Sequence, residues 1–429
     1  MAQEQGGELK REIGFTGSAF LSFNGLVGAG IFALPATLNG QFGAWSPWLF
    51  PLFGTLALVV ALPFSRLAAY HPGSGGPVAY ASVFGPLAAF QVGWIYYVAR
   101  ATALAANSNV FVTYAASLWP PIGQGAPRAV AILLLVGALT GLNMVGVRRA
   151  IRALDALTLL KAAPLIGIAL YALLAVAPAI PAPGPPPPLS ELEAAALLVL
   201  YAFVGFENSV VPAGETADPR RTIPRALIVT LLATMALYFL VQLAFASTMP
   251  RGAAGDAPLV AFGEAVAGPA GALLLTAAAL FSLTGNIMGG LTGTPRATFA
   301  LAQGGMLPAW FGRVSARWGT PANSILFMGA LIAMLALSGS FVWLAVVSTL
   351  ARMIVYAASI AALPRTRRRA GEGMPLYLLA MMAAGLAICA WGAAQSQWAS
   401  WRVLLVLIGL GVILFAGARL TGRGTKSSP

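Results

Sequence analysis

The chain has 429 residues, of which 59% are hydrophobic and 9% charged, with a formal net charge of +13. Soluble domains carry about 25% charged residues, so this composition excludes a water-soluble enzyme, a disordered tail and a secreted disulfide scaffold. Cys389 is the single cysteine and permits no internal disulfide; His71 is the single histidine and leaves no second imidazole for a histidine-pair metal site.

Residues 1–13 are polar and of mixed charge, without the apolar stretch and small-residue cut site of a signal peptide, so the chain is expected to enter a membrane by its first helix. A membrane-crossing helix needs about 20 apolar residues. Twelve spans are expected on that criterion, at 14–39, 45–69, 79–118, 128–146, 154–177, 190–216, 223–249, 269–302, 323–338, 341–362, 375–394 and 400–420. The third and eighth are longer than a bilayer requires and are expected to tilt or protrude. The PAPGPPPP run within 178–189 is too proline-rich for a helix and reads as an extended spacer between two halves. Residues 258–268 read as a short extra helix lying outside the spans.

Two spans carry helix breakers. The first contains Gly25, Gly28 and Gly30 and then Pro35. Glycine costs a helix about 0.8–1.0 kcal/mol relative to alanine, and proline removes a backbone donor, so an unwound centre is expected. Unwound backbone at membrane depth is tolerated where it lines a cavity or is buried in protein, and amide groups at a half-helix N-terminus bind carboxylates. The sixth span runs through Tyr201, Ala202, Phe203, Val204, Gly205, Phe206 and Glu207, and continues past Pro212 and Gly214. An offset of five helices places the two broken spans in opposite orientation, a pointer to an inverted-repeat transporter with its site between the repeats. Close helix packing through small residues is the competing explanation of the glycines.

Charge placement separates the basic residues into two groups. With the N-terminus inside and sides alternating, nineteen fall at inner segments, against Arg128, Arg251 and Arg402 at outer ones. The even helix count then puts both termini in the cytoplasm. The RTRRR run at 365–369 reads as a topology anchor rather than a nucleic-acid or lipid-headgroup site. Arg100, Lys161, Arg352 and the acid Glu207 fall inside spans. An acid at membrane depth is functional by default, and burial and a neighbouring arginine push its protonation in opposite directions. Glu207 is therefore a candidate proton carrier or gating switch, against a structural acid bonded to loose backbone; Arg100 and, in competition, Arg352 are its candidate partners. Lys161 either snorkels to the inner boundary or serves as a tethered cation where a sodium ion would otherwise bind, bonded to carbonyls of the first helix and polar groups of the eighth. A desolvated amine can also give up its proton.

Together these features resemble the amino acid–polyamine–organocation superfamily of permeases. The resemblance rests on Gly28-Ala29-Gly30 through Pro35, and on the loop His71-Pro72-Gly73-Ser74-Gly75-Gly76-Pro77-Val78-Ala79-Tyr80. It also rests on Phe203–Glu207, on Glu215-Thr216-Ala217-Asp218-Pro219-Arg220 through Arg225, on Gly305-Met306-Leu307-Pro308 and on Gly319-Thr320-Pro321-Ala322-Asn323. It covers about 12–420 and is specific at superfamily level, not at substrate level. It implies an all-α membrane protein of about twelve helices with the leucine-transporter-type fold. That fold comprises a tail (1–13), a first five-helix repeat (14–177), an external proline-rich loop (178–189) and an inverted second repeat (190–362). A basic cytoplasmic loop (363–374), two additional helices (375–420) and a tail (421–429) complete it.

The resemblance further implies that backbone at Val27, Gly28, Ala29 and Gly30 holds a substrate carboxylate. Backbone around Tyr201, Ala202, Val204 and Gly205 then takes the α-amino group. Tyr201 matches an aromatic gate, Glu207 a gating and proton-responsive glutamate, and Lys161 the fifth-helix lysine of sodium-independent members. Arg100 departs from the commoner neutral residue on the third helix, and either faces the substrate or neutralises Glu207. Facing the pocket, it disfavours cationic substrates and suits neutral or acidic ones. Asn286 and Ser348 are further pocket candidates. The expected activity is sodium-independent transport of amino acids or related amines by alternating access in the inner membrane, with proton symport and exchange both open. No cofactor, metal or nucleic-acid partner is expected, and monomer and homodimer both stay open. A channel fits less well, because charge rings in channels usually come from oligomers. A membrane-embedded enzyme fits least, since the sequence has no HExxH and His71 has no evident serine partner.

Overall fold

The structure, a computed structural model, describes residues 11, 13–71, 75–146, 161–252 and 255–424, with side chains as far as Leu420. Backbone in hydrocarbon must satisfy its own polar groups, and the apolar runs accordingly fold as helices; among the described residues the one strand-like contact is an isolated bridge between Ile13 and Thr216. In chain order the helices are α1 (Phe15–Leu26), α2 (Ala29–Phe42), α3 (Ser46–Leu67), α4 (Pro86–Ala116) and α5 (Gly125–Val145). Next come α6 (Lys161–Val176), α7 (Leu189–Tyr201), α8 (Pro219–Thr248), α9 (Pro258–Gly293) and α10 (Pro295–Gln303). The chain closes with α11 (Ala322–Ser338), α12 (Phe341–Ala361), α13 (Leu376–Ala394) and α14 (Trp398–Gly424). Among the described residues, eight helices or helix runs are long and apolar enough to cross a membrane, and α6 and α11 are shorter apolar helices.

Punctuation by glycine and proline sets several boundaries. The long third span does not run through as one rod. A short helix at Pro77–Ala81 and a turn end at Gly85, whose φ of 106° stops the helix, and Pro86 starts α4. The eighth span likewise divides, with α9 ending at Gly293 and Pro295 opening α10. Each long span is therefore divided by a break, and the main helix of the third, Pro86–Ala116, still has 31 residues. Residues 258–266 are helical and turn at Ala267 and Gly268 (φ 63°) into the long part of α9. Residues 178–187, in the proline-rich stretch, have no helix. Of the fifth span, residues 154–160 lie outside the described residues, as do Lys10, Arg148, Arg149, Arg152, Lys426 and Pro72–Ser74.

The broken segments sit at the centre. α4 packs against α9, α11 and α12, α3 packs against α8, and α1 packs against α8 and the backbone after α7. In the window Leu189–Ser209, 67% of residues are buried, against 22% in α5, α13 and the window Trp398–Leu420. Those last three helices form the rim, and apolar side chains such as Leu376 (81% exposed) and Val406 (70% exposed) face outward. At one end of the bundle, basic residues tie loops to helices. Arg367 Nη2 lies 3.0 Å from Glu372 and its Nη1 2.5 Å from the Tyr70 hydroxyl, while Arg220 Nε donates to the Ala69 carbonyl at 3.1 Å.

Candidate functional site

Two interruptions of helix meet at the centre. α1 stops at Leu26, and Val27 and Gly28 leave helical geometry before α2 begins at Ala29. The carbonyls released there are not left bare: Tyr238 donates to Leu26 O at 2.8 Å and Ser282 to Val27 O at 3.3 Å. On the amide side, Ala29 N–H donates to Asn107 Oδ1 at 2.9 Å. The next amides, of Gly30 and Ile31, are those a helix start leaves without an intrahelical partner. Glycine at 28 avoids crowding, since a Cβ there would lie 3.2 Å from Asn286 Nδ2 and 3.3 Å from Asn107 Oδ1 and would push on both amides. Pro35, by contrast, stays inside α2, where Gln242 Nε2 donates to its carbonyl at 3.1 Å. The unwinding is thus confined to the glycine cluster.

The second break follows Tyr201. Gly205 has φ 117°, a backbone closed to L side chains, and packs so tightly on Gly25 that neither could carry a Cβ. This glycine-on-glycine crossing draws the two breaks together. Beyond it a short turn of helix at Phe206–Ser209 carries Glu207 into the interior, fully buried. Ser22 on α1 donates to Phe206 O at 2.9 Å and pairs with the Ser209 hydroxyl at 2.8 Å. Glu207 Oε1 accepts from Arg352 Nε at 3.1 Å, and Oε2 accepts from the Tyr356 hydroxyl at 2.7 Å and from Gly205 N–H at 2.9 Å. Arg352 also donates to Ser348 Oγ and, at 3.4 Å, to Ala99 O. Glu207 therefore takes Arg352 as its ion-pair partner, not Arg100: Ser348, Arg352 and Tyr356 lie one turn apart on a single face of α12, so Arg352 and Tyr356 both reach the acid while Ser348 braces Arg352.

A chain of amides links the first break to α6. Lys161 Nζ donates to Asn24 Oδ1. Asn286 Nδ2 donates to the Asn24 carbonyl at 2.8 Å, Asn107 Nδ2 donates to Asn286 Oδ1 at 2.9 Å, and Asn107 Oδ1 holds Ala29 N–H. Lys161 is buried rather than snorkelling, with no exposed surface.

Between the breaks lies a small cavity of about 20 Å³, lined by Gly25, Leu26, Gly28, Ala29 and Gly30, by Arg100, Ala103 and Asn107 of α4, and by Tyr201, Val204, Asn286 and Arg352. That is room for about one water molecule, smaller than an amino acid, so a substrate enters only if the walls move apart. Arg100, Ala103 and Asn107 share one face of α4 by their helical spacing. Arg100 is buried to 6% exposure and, among the described residues, makes no hydrogen bond or ion pair.

Of the residues singled out in the sequence, Gly28, Ala29, Gly30, Arg100, Tyr201, Val204 and Asn286 line this cavity together. Val27, Ala202, Gly205 and Ser348 do not. Val27 presents its carbonyl to Ser282, Ala202 packs against Gly30, Gly205 against Gly25, and Ser348 donates to Ala99 O at 2.9 Å and holds Arg352. Three side chains of these hydrogen-bond networks were not singled out. Asn24 and Asn107 are amides within apolar helices, a signal present in the sequence, since a buried amide needs partners. Tyr356 stands one turn beyond Arg352 and is indistinguishable by pattern from a packing aromatic.

A family model described as "Amino acid permease" matches residues 13–416. An uncharacterized transporter of Mycobacterium tuberculosis (strain ATCC 25618 / H37Rv) is 28% identical over 429 residues, covering 98% of this chain and 94% of that protein. An uncharacterized transporter of Mycobacterium bovis is similar to the same extent. The cadaverine/lysine antiporter of Escherichia coli (strain K12) is 26% identical over 342 residues, covering 77% of this chain and 76% of that protein.

Proposed function

The chain belongs to the amino acid permease family, and from that premise we propose that it is a secondary active transporter moving amino acids or related amines by alternating access. The observation that carries this reading is the meeting of two helix breaks around a cavity whose wall includes two arginines, Arg100 and Arg352. The substrate's α-carboxylate binds at the start of α2, where amide groups and the helix dipole favour an anion. Its α-amino group binds the carbonyls at the end of α7. Tyr201, stacked edge-on to Phe341 with ring centres 5.7 Å apart, covers the pocket as the gate.

The proposed architecture is two inverted five-helix repeats, 14–177 and 190–362, followed by two additional helices. Helix contacts support it. α1 packs against the backbone after α7, α3 against α8, α4 against α9 and α5 against α11, each pairing an element with its counterpart five spans on. The placement of basic residues supports both termini lying in the cytoplasm.

Lys161 is the proposed coupling group. Its ammonium, on Asn24 of the first span, stands where a sodium ion would serve a sodium-driven relative, so transport is sodium-independent and either proton-coupled or exchanging. The amide chain gives the two sites a physical link. A carboxylate arriving at Ala29 N–H competes with Asn107 Oδ1, and displacing Asn107 loosens Asn286 from Asn24, and Asn24 from Lys161. Purified protein in liposomes loaded with an amino-acid mixture should take up labelled amino acid by counterflow, unchanged when potassium replaces sodium. No counterflow across the twenty common amino acids and simple diamines would refute transport, and strong sodium stimulation would refute the coupling assignment.

A further inference from the structure

Among the described residues, the buried charged side chains are Arg100, Lys161, Glu207 and Arg352. Glu207 is engaged by Arg352, Tyr356 and Gly205 N–H, so its charge is met within its own cluster. Lys161 is held by Asn24 on the far side of the amide chain. Arg100 remains: a buried side chain on the cavity wall with no hydrogen bond and no ion pair within 4 Å among the described residues, near enough to feel the charge of Glu207 but with that acid's oxygens already taken by other donors. A guanidinium stays protonated in proteins and presents five donors in a planar fork. Burying one without a partner is costly, so the arrangement calls for an anion that arrives with the substrate.

The site already supplies a place for one carboxylate, the start of α2 at Ala29 and Gly30. Arg100 lies on α4 seven residues before Asn107, the residue that holds Ala29 N–H, and so stands about two turns further along the same cavity wall. We propose that the substrate is an acidic amino acid, whose second carboxylate is taken by the fork of Arg100 while the first docks on α2. This rests on the transport reading above and names its substrate class. The same charge balance opposes diamines and basic amino acids, because the single acid of the site is already bonded to three donors and a second cation would face Arg100 directly. A neutral side chain leaves the guanidinium unpaired and binds more weakly.

The test uses the full chain in liposomes. Counterflow of labelled L-glutamate and L-aspartate is measured against L-leucine, L-lysine and cadaverine, with competition by each unlabelled compound. The acidic pair should compete about tenfold to a hundredfold better than leucine, as a charge-assisted pair inside a site implies. Arg100→Gln should abolish that preference, and Arg100→Lys, which keeps the charge and loses the fork, should keep it with weaker affinity. Thermal stabilisation of the detergent-solubilised wild type by glutamate but not by lysine gives a readout that needs no variant. Counterflow of leucine or lysine with no response to the acidic pair overturns the acidic assignment and leaves the transport reading standing. An acidic preference unchanged in a folded Arg100→Gln also overturns it. No counterflow with any of the five compounds overturns the acidic assignment, and its extension to the remaining common amino acids and diamines overturns the transport reading as well.

Discussion

Glu207→Gln isolates the central ion pair. The substitution keeps size and an acceptor for the Tyr356 hydroxyl or Gly205 N–H but removes the charge that meets Arg352 at 3.1 Å, with both side chains at or below 1% exposure. Breaking a buried pair by removing one partner costs about 3–5 kcal/mol, because the remaining ion is left uncompensated. Ser348 and the Ala99 carbonyl still engage the guanidinium, so the lower figure applies, about 3 kcal/mol, or on the order of a hundredfold in the folding equilibrium. Arg352→Gln should cost a comparable amount by stranding the carboxylate. The double variant Glu207→Gln/Arg352→Gln should recover much of the loss, since a neutral hydrogen-bonded pair leaves no buried ion, with a coupling on the order of 2 kcal/mol. Reversible unfolding in mixed detergent micelles measures all four proteins. Additive single-variant losses, or a Glu207→Gln as stable as the wild type, would show that the two charges do not depend on one another.

Three further outcomes follow from the same geometry. Lys161→Ala should impair transport; a folded Lys161→Ala that transports like the wild type would remove Lys161 from the coupling. Asn107→Leu strands Ala29 N–H and Asn286 Oδ1, each worth about 1–3 kcal/mol when buried unpaired. Its transport should fall with the KM for substrate raised, and an unaltered KM would remove Asn107 from the site. Gly205→Ala forces a side chain into φ 117° and into the Gly25 backbone, so folded yield should collapse. Gly137→Ala, on the open face of α5 with nothing within 4 Å, should be neutral or stabilising by up to about 1 kcal/mol; equal behaviour of the two would refute the crossing.

Much of this protein is set by residues acting locally. Apolar runs of membrane length specify helices whatever their neighbours, because lipid offers the backbone no other partner. Gly28 and Gly205 mark the breaks because a side chain would crowd two amides at the one and meet a left-handed backbone angle and the Gly25 backbone at the other. The four interior charges stand out because charge at that depth is expensive. The structure altered what depends on where α4 and α12 turn their faces. The sequence offers Glu207 two arginines on two helices, and only packing sends Arg352 to it, through Ser348 and Tyr356 on the same helical face. Ser348 moves for that reason from the pocket wall to the support of Arg352. Asn24, Asn107 and Asn286 lie on three separate segments, and nothing in their spacing joins them until the helices pack. Sequence alone thus determined the helices, the breaks and the list of buried charges, which are local properties of hydropathy and backbone freedom. Tertiary structure decided the pairing, because an ion pair or amide chain is a property of facing surfaces, and it is the pairing that left Arg100 alone against the cavity.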